Sequence, residues 1–302
     1  GVQTCALPIC RVDAAETSHP WHDDAALHAV QFVGSRSGWA VGDHGVVWRT
    51  EDGGQTWSLQ KTPTDASLHG VCFLTNQMGW VVGSGTQPFT GLGYGVILKT
   101  VDGGRTWTDS KSSAAKKPKT FGKKTSTAVV LDQPKSTDHL PPLRFIKFFG
   151  TEEGIAIGEA TAAFPTGCLA TMDGGETWEP MKGEPSAGWL AADFREIEHG
   201  IVVGERGRMA VANDFEVVRT RNDRRSLRGV RAVDFADGLN AWAVGDGGLV
   251  LKTSNGGVSW EAPAKPLPQE VSVFTDFKAV TTRGPRSEEH TSELQSHSFI
   301  SY

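Results

Sequence analysis

One sequence pattern recurs five times along the 302-residue chain, and it constrains the fold more than any other feature. Each copy has an apolar run ending in Phe or a related residue, a short polar gap, a G-W-x-V-G-like motif and a second apolar run. Four copies then continue with T-x-D-G-G-x-T-W or a close variant. The central motifs are GWAVG (38–42), GWVVG (79–83), GIAIG (154–158), GIVVG (200–204) and AWAVG (241–245). The spacing is 41 residues both from Gly42 to Gly83 and from Gly204 to Gly245.

A repeat of about 40 to 45 residues with four short strands is typical of a β-propeller blade. The sequence therefore predicts an all-β propeller of four-stranded antiparallel blades, with strand a innermost, strands b and c following, and strand d outermost. No amphipathic helical stretch competes with this assignment. The predicted blades span residues 27–60, 68–110, 140–181, 189–227 and 228–263, and a partial sixth blade spans 271–285.

Three segments stand outside the repeat. A Lys-rich insertion, 111–139, separates the second and third blades and contains no periodic apolar run. Residues 1–10 and 286–302 resemble translated sequencing-adapter sequence, so we expect both to be non-native and the propeller to lie within 11–285. On this reading the chain is a fragment of a longer protein.

Composition excludes several classes of protein. The formal net charge of −5 argues against a protein built for nucleic acid. No apolar run approaches about 18 residues, which predicts no membrane-spanning helix. Four cysteines are too few for a disulfide-built scaffold, and Cys72 and Cys168 fall within apolar strands, where buried thiols are expected. The histidines show no metal-ligand spacing, so no metal and no cofactor are predicted.

The D-G-G segments between strands c and d predict tight turns. The Asp side chain accepts hydrogen bonds from its own turn, the glycines adopt positive φ, and the Trp packs against neighbouring strands. We interpret these residues as structural rather than as ligands: Asp52, Gly54, Trp57, Asp102, Gly104, Trp107, Asp173, Gly175, Trp178, Asn255, Gly257 and Trp260. In the fourth copy Asn222, Ser226 and Leu227 take the Asp, Thr and Trp positions, which predicts the loosest turn there.

The S/T-x-D-x-G-x-T-W pattern is similar to the Asp-box, or BNR repeat. Together with G-W-x-V-G-x-x-G, it resembles the BNR-type photosystem II assembly/stability factor family over roughly residues 27–282. This resemblance implies a seven-bladed, non-enzymatic propeller that acts outside the cytoplasm as a protein-binding scaffold, monomeric if its ring is closed. The chain departs from the family by its five blades and a start, its insertion and its altered fourth turn.

An enzyme remains the main alternative, because sialidases also carry Asp-boxes. Sialidases resemble one another in an Arg triad for the substrate carboxylate and a Tyr nucleophile. Outside the tail the only Tyr is Tyr94, which we place in a Gly-rich b–c loop, 83–95, rather than on an inner strand. No catalytic residue is therefore predicted. A carbohydrate-binding protein and a structural module of a larger secreted protein stay open; an acidic-aromatic cluster would favour sugar, and an Arg-rich face a protein.

Aligned blades place basic and acidic residues at one end of each sheet. The second positions of strand a are His28, His69, Arg144, Leu190, Arg231 and Lys278. The residues after the strand-b glycine are Asp43, Ser84, Glu159, Glu205 and Asp246. Because the start of strand a and the b–c turn share one end of a blade, we expect the two sets to meet. They form either ties within a blade or a polar ring at the channel mouth.

Arginines are also concentrated between residues 195 and 231. The candidate partner-binding residues are Arg206, Arg208, Arg144, Arg231, Arg221, Arg224 and Arg225. Two interpretations remain open: a solvated basic surface, or a docking patch for an acidic or membrane-protein segment, since Arg is favoured at interfaces and for carboxylates. A small-molecule substrate and a nucleic-acid partner are not expected.

Overall fold

The computed structural model describes residues 24–109, 140–220, 227–264, 275–282 and 298–301. The predictions for residues 1–10 and for the insertion 111–139 lie outside these ranges, and of the tail 286–302 only the backbone of 298–301 is described. The chain divides into two compact units, residues 1–111 (unit 1) and 112–302 (unit 2).

Unit 1 consists of two four-stranded antiparallel sheets, each in sequential strand order. Blade 1 contains β1 (Leu27–Val33), β2 (Ser37–Gly42), β3 (Val47–Thr50) and β4 (Ser58–Gln60), with a 3₁₀ turn at Asp43–Gly45 between β2 and β3. Blade 2 contains β5 (Ser67–Phe73), β6 (Gly79–Thr86), β7 (Gly93–Thr100) and β8 (Thr108–Asp109).

Unit 2 contains the next three blades and the strand that follows them. Blade 3 contains β9 (Leu143–Phe148), β10 (Gly154–Gly158), β11 (Cys168–Thr171) and β12 (Glu179–Pro180). Blade 4 contains β14 (Trp189–Glu196), β15 (His199–Gly204), β16 (Met209–Asn213) and β17 (Glu216–Arg219), and β13 (Lys182–Gly183) joins its outer edge. Blade 5 contains β18 (Val230–Phe235), β19 (Ala241–Gly245) and β20 (Leu249–Thr253), and a single bridge from Lys252 to Glu261 stands in place of its fourth strand. The 3₁₀ turns Glu205–Gly207 and Asp246–Gly248 join strands b and c, and β21 (Ala279–Thr282) pairs with β22 (Ser298–Ser301).

The predicted fold class is confirmed: the chain is an all-β propeller built from antiparallel blades. The prediction for the c–d turn of blade 4 is wrong. Strands β16 and β17 are joined by Asp214 and Phe215 alone, both at positive φ (49° and 62°), as in a type I′ hairpin. Strand d therefore ends at Arg219, and Leu227, assigned to the buried Trp position, is 81% exposed. No glycine marks this turn, which is why the sequence pattern misplaced it.

Aromatic packing joins the two sheets of unit 1. The Trp39 ring from β2 stacks on Phe73 from β5 with centroids 3.6 Å apart and planes 8° from parallel, and Trp107 meets Phe73 edge-on. Trp39, Trp80 and Trp189 are the three largest fully buried side chains. Tryptophans on strands a and b are thus the most deeply buried, whereas the repeat pattern predicted this role for the tryptophans of the c–d turns.

Close approach of strands a and b explains the glycines at both ends of the G-W-x-V-G motif. A Cβ on Gly79 would lie 2.4 Å from the Phe73 ring, and a Cβ on Gly83 would lie 2.1 Å from the carbonyl oxygen of Ser67. Real Cβ atoms do not approach other atoms so closely, so these positions exclude any side chain. The two glycines of the motif are therefore required because strand b packs directly against the end and the start of strand a.

Candidate partner-binding surface

The turns between strands b and c share one backbone conformation in three blades. The middle residue is left-handed in each: His44 at φ 58°, Arg206 at φ 55° and Gly247 at φ 61°. Glycine adopts this conformation freely, but for other residues it costs roughly 1–2 kcal/mol. His44 and Arg206 are therefore held in a conformation that glycine would adopt without strain.

The basic residues of strand a meet the residue that follows the strand-b glycine in three blades. Nε2 of His28 lies 2.8 Å from Oδ1 of Asp43, and Nε2 of His69 lies 3.0 Å from Oγ of Ser84. In blade 5, Arg231 forms a two-point pair with Asp246: Nε donates at 2.7 Å and Nη2 at 2.9 Å. These contacts place the start of strand a and the b–c turn at the same end of each of these blades.

The pKa values of the paired carboxyls respond to these contacts. Hydrogen bonds from His28 and Ser67 lower the pKa of Asp43. The bond from Arg231 lowers the pKa of Asp246, and the same contact raises the pKa of Arg231.

In blade 3 the expected partners do not meet: Arg144 and Glu159 are both exposed, and no ion pair between them occurs in the described residues. The tie is therefore a feature of particular blades rather than of the repeat.

The predicted arginines of blades 4 and 5 that the structure describes lie around this end. Arg208 donates to the carbonyl oxygen of Ala187, and Arg228 donates to that of Gly247 at 2.9 Å. Arg206 is exposed at the tip of its turn, beside Glu205, whose charge acts on Arg231. We call this set the b–c surface of unit 2: Glu205, Arg206, Arg208, Arg228, Arg231 and Asp246. Arg221, Arg224 and Arg225 lie outside the described residues.

The c–d turns form one repeated hydrogen-bond network. In blade 1, Oδ1 of Asp52 accepts from the backbone of Thr56 at 2.9 Å and from the hydroxyl of Thr50 at 2.8 Å. The Thr56 hydroxyl donates to Oδ2, and the Thr50 hydroxyl accepts from the backbone of Gly54 at 2.9 Å. The same bonds recur around Asp102 and Asp173. Around Asn255 one bond is reversed, because its Nδ2 donates to the hydroxyl of Ser259. Bonds from Thr106 lower the pKa of Asp102 to about 2. The side-chain acceptors are thus occupied within the turn.

A second set of polar contacts was not predicted from the sequence. The residue before the last aromatic position of strand a reaches the backbone of the next blade. Gln31 accepts from the N–H of Phe73 at 2.6 Å, Asp193 accepts from that of Phe235 at 2.9 Å, and Asp234 accepts from Thr282. Lys147 also donates to Asp193 at 2.8 Å. Burial, together with the charge of Asp193, raises the pKa of Asp234. The signal in the sequence was a polar residue within an apolar run.

The described residues contain one tyrosine and two cysteines that bear on catalytic, redox or metal chemistry. Tyr94 belongs to strand β7 and not to a loop, because β6 and β7 extend to pair Gly85 with Tyr94. Cys72 and Cys168 are buried free thiols, and burial raises the pKa of Cys168 to about 12. Within the described ranges no three His, Cys, Asp or Glu side chains are placed to hold a metal ion. None of the helices there is long and apolar enough to cross a membrane.

Comparisons with known proteins agree with the motif analysis. A family model described as Photosynthesis system II assembly factor YCF48 matches residues 15–119. The chain thus resembles the BNR-type propellers of that family, and the match covers the blades of unit 1. A search of curated proteins found no match.

Several solved structures are similar to the chain. A structure of YCF48 from Cyanidioschyzon merolae is 17% identical, with 86% of this chain and 91% of that chain covered and a TM-score of 0.47. A structure titled YCF48 bound to D1 peptide is 19% identical over 80% and 81% of the two chains, with a TM-score of 0.40. An ancestral GH74 enzyme is 11% identical over 85% of this chain and 33% of that chain, with a TM-score of 0.58. The GH74 likeness reflects the fold alone.

Proposed function

We propose that this chain is a non-enzymatic propeller that binds a protein partner, in the manner of photosystem II assembly factors. The observation that carries the proposal is the YCF48 family-model match over residues 15–119. We further propose that it works outside the cytoplasm, as the resemblance implies, and that no cofactor takes part.

The proposed contact is the b–c surface of unit 2, and Arg206 is its central residue. Arg208 and Arg231 are already bonded to the protein and present a fixed frame, whereas Arg206 is exposed and sits at φ 55°. Residues with a strained backbone are concentrated at functional sites, so the left-handed conformation of an exposed arginine supports a binding role for its side chain. An exposed guanidinium is suited to two-point contact with a carboxylate. The partner segment is therefore expected to be acidic.

The test separates binding from folding through two changes at one position. Arg206→Gly relieves the left-handed strain of roughly 1–2 kcal/mol, offset by the roughly 0.5–1 kcal/mol entropic cost of glycine, so the melting temperature should change little. Arg206→Glu reverses the charge. A labelled D1 peptide and an acidic peptide of equal length are titrated into each variant by fluorescence anisotropy.

Both variants should weaken peptide binding, Arg206→Glu by about tenfold or more, because an attractive contact becomes repulsive. Arg105→Glu, an exposed arginine on a c–d turn, is the matched control and should bind as the unchanged chain does. Unaltered affinity of Arg206→Glu for a peptide that the unchanged chain binds would remove this surface from the proposal. Binding of neither peptide would count against the function itself.

A further inference from the structure

The hairpin between strands b and c of blade 2 is longer than its counterpart in blade 1. In blade 1 the turn Asp43–Gly45 follows directly on β2, which ends at Gly42. In blade 2 the strands continue past Gly83, and three more residue pairs form, from Ser84↔Gly95 to Thr86↔Gly93. At about 3.4 Å per residue, this extension places the connecting loop roughly 10 Å beyond Gly83. We call the loop, residues 87–92, the blade 2 tip.

The blade 2 tip exposes several apolar side chains. Phe89 is 108% exposed, more than any other large apolar residue that the structure describes, and Leu92 is 64% exposed. Pro88 is exposed as well. Apolar residues scattered singly over a surface need no explanation, but apolar residues grouped together in this way mark a contact with a protein or a membrane.

The backbone is strained at the residue that bears the aromatic ring. Phe89 has a φ of 74°, in the left-handed region, where a bulky side chain is an outlier. Residues held in such conformations are concentrated at functional sites. Phe89 combines this strain with complete exposure of an apolar ring, and both are accounted for if the ring contacts something outside the chain.

Hydrogen bonds within the tip satisfy much of its polar character. The N–H of Gln87 donates to the carbonyl oxygen of Leu92 at 2.8 Å, and the N–H of Gly91 donates to that of Gln87 at 3.1 Å. The Thr90 hydroxyl donates to Oε1 of Gln87 at 3.1 Å and accepts from the N–H of Leu92 at 3.3 Å. Removing a polar group from water is costly unless it is hydrogen-bonded, so these bonds lower the cost of burying the tip.

The lack of charge identifies a lipid surface as the occupant. Residues 84–98 include no Asp, Glu, Lys, Arg or His. Protein partners are selected by charged and polar contacts, but the two polar side chains of the tip, Gln87 and Thr90, are bonded to each other. A neutral lipid surface requires only apolar groups. Tyr94 packs behind the tip, where a Cβ on Gly85 would lie 2.4 Å from its ring, and tyrosines are enriched at membrane–water interfaces.

We propose that the blade 2 tip inserts into the surface of a neutral lipid bilayer. Phe89 and Leu92 enter the boundary between headgroups and acyl chains, where apolar side chains of peripheral proteins are buried to a depth of about 5–10 Å. This inference does not rest on the proposed function, whose contact surface belongs to unit 2.

The first experiment measures partitioning of the full chain onto phosphatidylcholine vesicles by sedimentation. The unchanged chain should bind, and Phe89→Asn should lower the partition coefficient at least tenfold, because burial of a Phe side chain contributes that much to affinity. Asn tolerates the left-handed conformation, so the melting temperature should not fall. Val101→Ser is the matched control. It changes a 60% exposed apolar residue that follows the other end of β7, and it should leave partitioning unaltered.

Two outcomes of this experiment would overturn the proposal. One is equal partitioning of Phe89→Asn and the unchanged chain, and the other is binding that occurs only when anionic phosphatidylglycerol is added. Arg206→Glu should partition as the unchanged chain does, whereas Phe89→Asn should retain the binding of the acidic peptides. The two proposals can therefore fail separately.

The second experiment locates the ring in the bilayer. Phe89→Trp keeps an aromatic side chain at the tip and should bind the vesicles as tightly as the unchanged chain. With lipids brominated near the headgroup end of their acyl chains, its fluorescence should be quenched more than that of the unchanged chain. Hydrogen exchange of the backbone amides of 87–92 should also slow when vesicles are added. Equal quenching of the two proteins would refute insertion, even if both bind the vesicles.

Discussion

The c–d turn of blade 3 offers the sharpest test of how a repeated hydrogen-bond network stabilises this fold. Asp173 accepts from the backbone of Thr177 at 2.9 Å, from the Thr177 hydroxyl, and from the Thr171 hydroxyl at 2.9 Å. Thr171 is fully buried. Asp173→Ala removes three bonds worth about 1 kcal/mol each and leaves a buried hydroxyl without that acceptor. The expected loss in the free energy of local opening is about 2–4 kcal/mol.

Blade 5 supplies the control for this change. There Asn255 replaces Asp, accepts from Ser259 N–H at 3.0 Å and from Thr253 hydroxyl at 2.9 Å, and donates to the Ser259 hydroxyl at 2.8 Å. Asp173→Asn should therefore keep the geometry of the turn, with the Asn amide donating to the Thr177 hydroxyl. Only the strengthening of these hydrogen bonds by the carboxylate charge is lost, which lowers the free energy of local opening by about 1 kcal/mol. Hydrogen exchange of the segment 171–178, followed by mass spectrometry, measures both variants. Asp173→Ala should lower the protection of these backbone amides against hydrogen exchange by about thirtyfold or more, and Asp173→Asn should lower it by about fivefold.

The pH dependence gives the direction of the charge contribution. Burial raises the pKa of Asp173, but the bonds from Thr177 and Thr171 outweigh it, and the pKa is lowered overall. A carboxyl with a lowered pKa stabilises the fold above its unfolded-state value and loses that contribution as pH falls through the folded value. The gap in melting temperature between the unchanged chain and Asp173→Asn should therefore narrow below about pH 4. Protection within threefold of the unchanged chain in Asp173→Ala would refute the network argument, and equal damage by both variants would show that charge, not geometry, holds the turn.

Two further predictions concern packing and burial. Gly79→Ala places a Cβ 2.4 Å from the Phe73 ring, which is stacked on Trp39, so thermal unfolding should show a free energy of unfolding lower by about 3 kcal/mol or more. Gly150→Ala, with no atom within 4 Å, should melt as the unchanged chain does. Because burial raises the pKa of Cys168 to about 12, mass spectrometry should find this thiol unmodified by iodoacetamide at pH 8 in the folded chain and alkylated in urea; alkylation at equal rates in both states would contradict its burial.

The blade pattern was predictable because each motif has a local physical cause. Gly79 and Gly83 allow close approach to the preceding strand, and Asp52 is bonded within its own turn. Such constraints lie within a few residues or within one hairpin, so the sequence displays them directly. The c–d turn of blade 4 escaped because Asp214 and Phe215 adopt left-handed conformations without a glycine to mark them. Local rules fail where a fold imposes an unfavoured conformation.

The contacts between successive blades could not be derived in the same way. Gln31 and Phe73 are 42 residues apart, as are Asp193 and Phe235. The repeat aligns these positions, but it does not reveal that the side chain of one copy reaches the backbone of the next. The position of Tyr94 was also not predictable, because the glycines around it indicated a loop and only the extended pairing of β6 with β7 makes it a strand residue.

The c–d and b–c ends of the blades differ in how much their side chains vary. At the c–d end of blades 1, 2, 3 and 5 the backbone and the side chains both repeat, and the acceptor oxygens are engaged within the turn, so substitutions there act on folding. At the b–c end of blades 1, 4 and 5 the backbone repeats, while the left-handed residue changes from His44 to Arg206 to Gly247. Because the turn conformation stays the same, the side chain at its left-handed position can change with little effect on folding. Recognition by this chain is therefore expected where the geometry is constant and the side chain is not, which is the reason that Arg206, rather than any residue of the D-G-G turns, is the position to test.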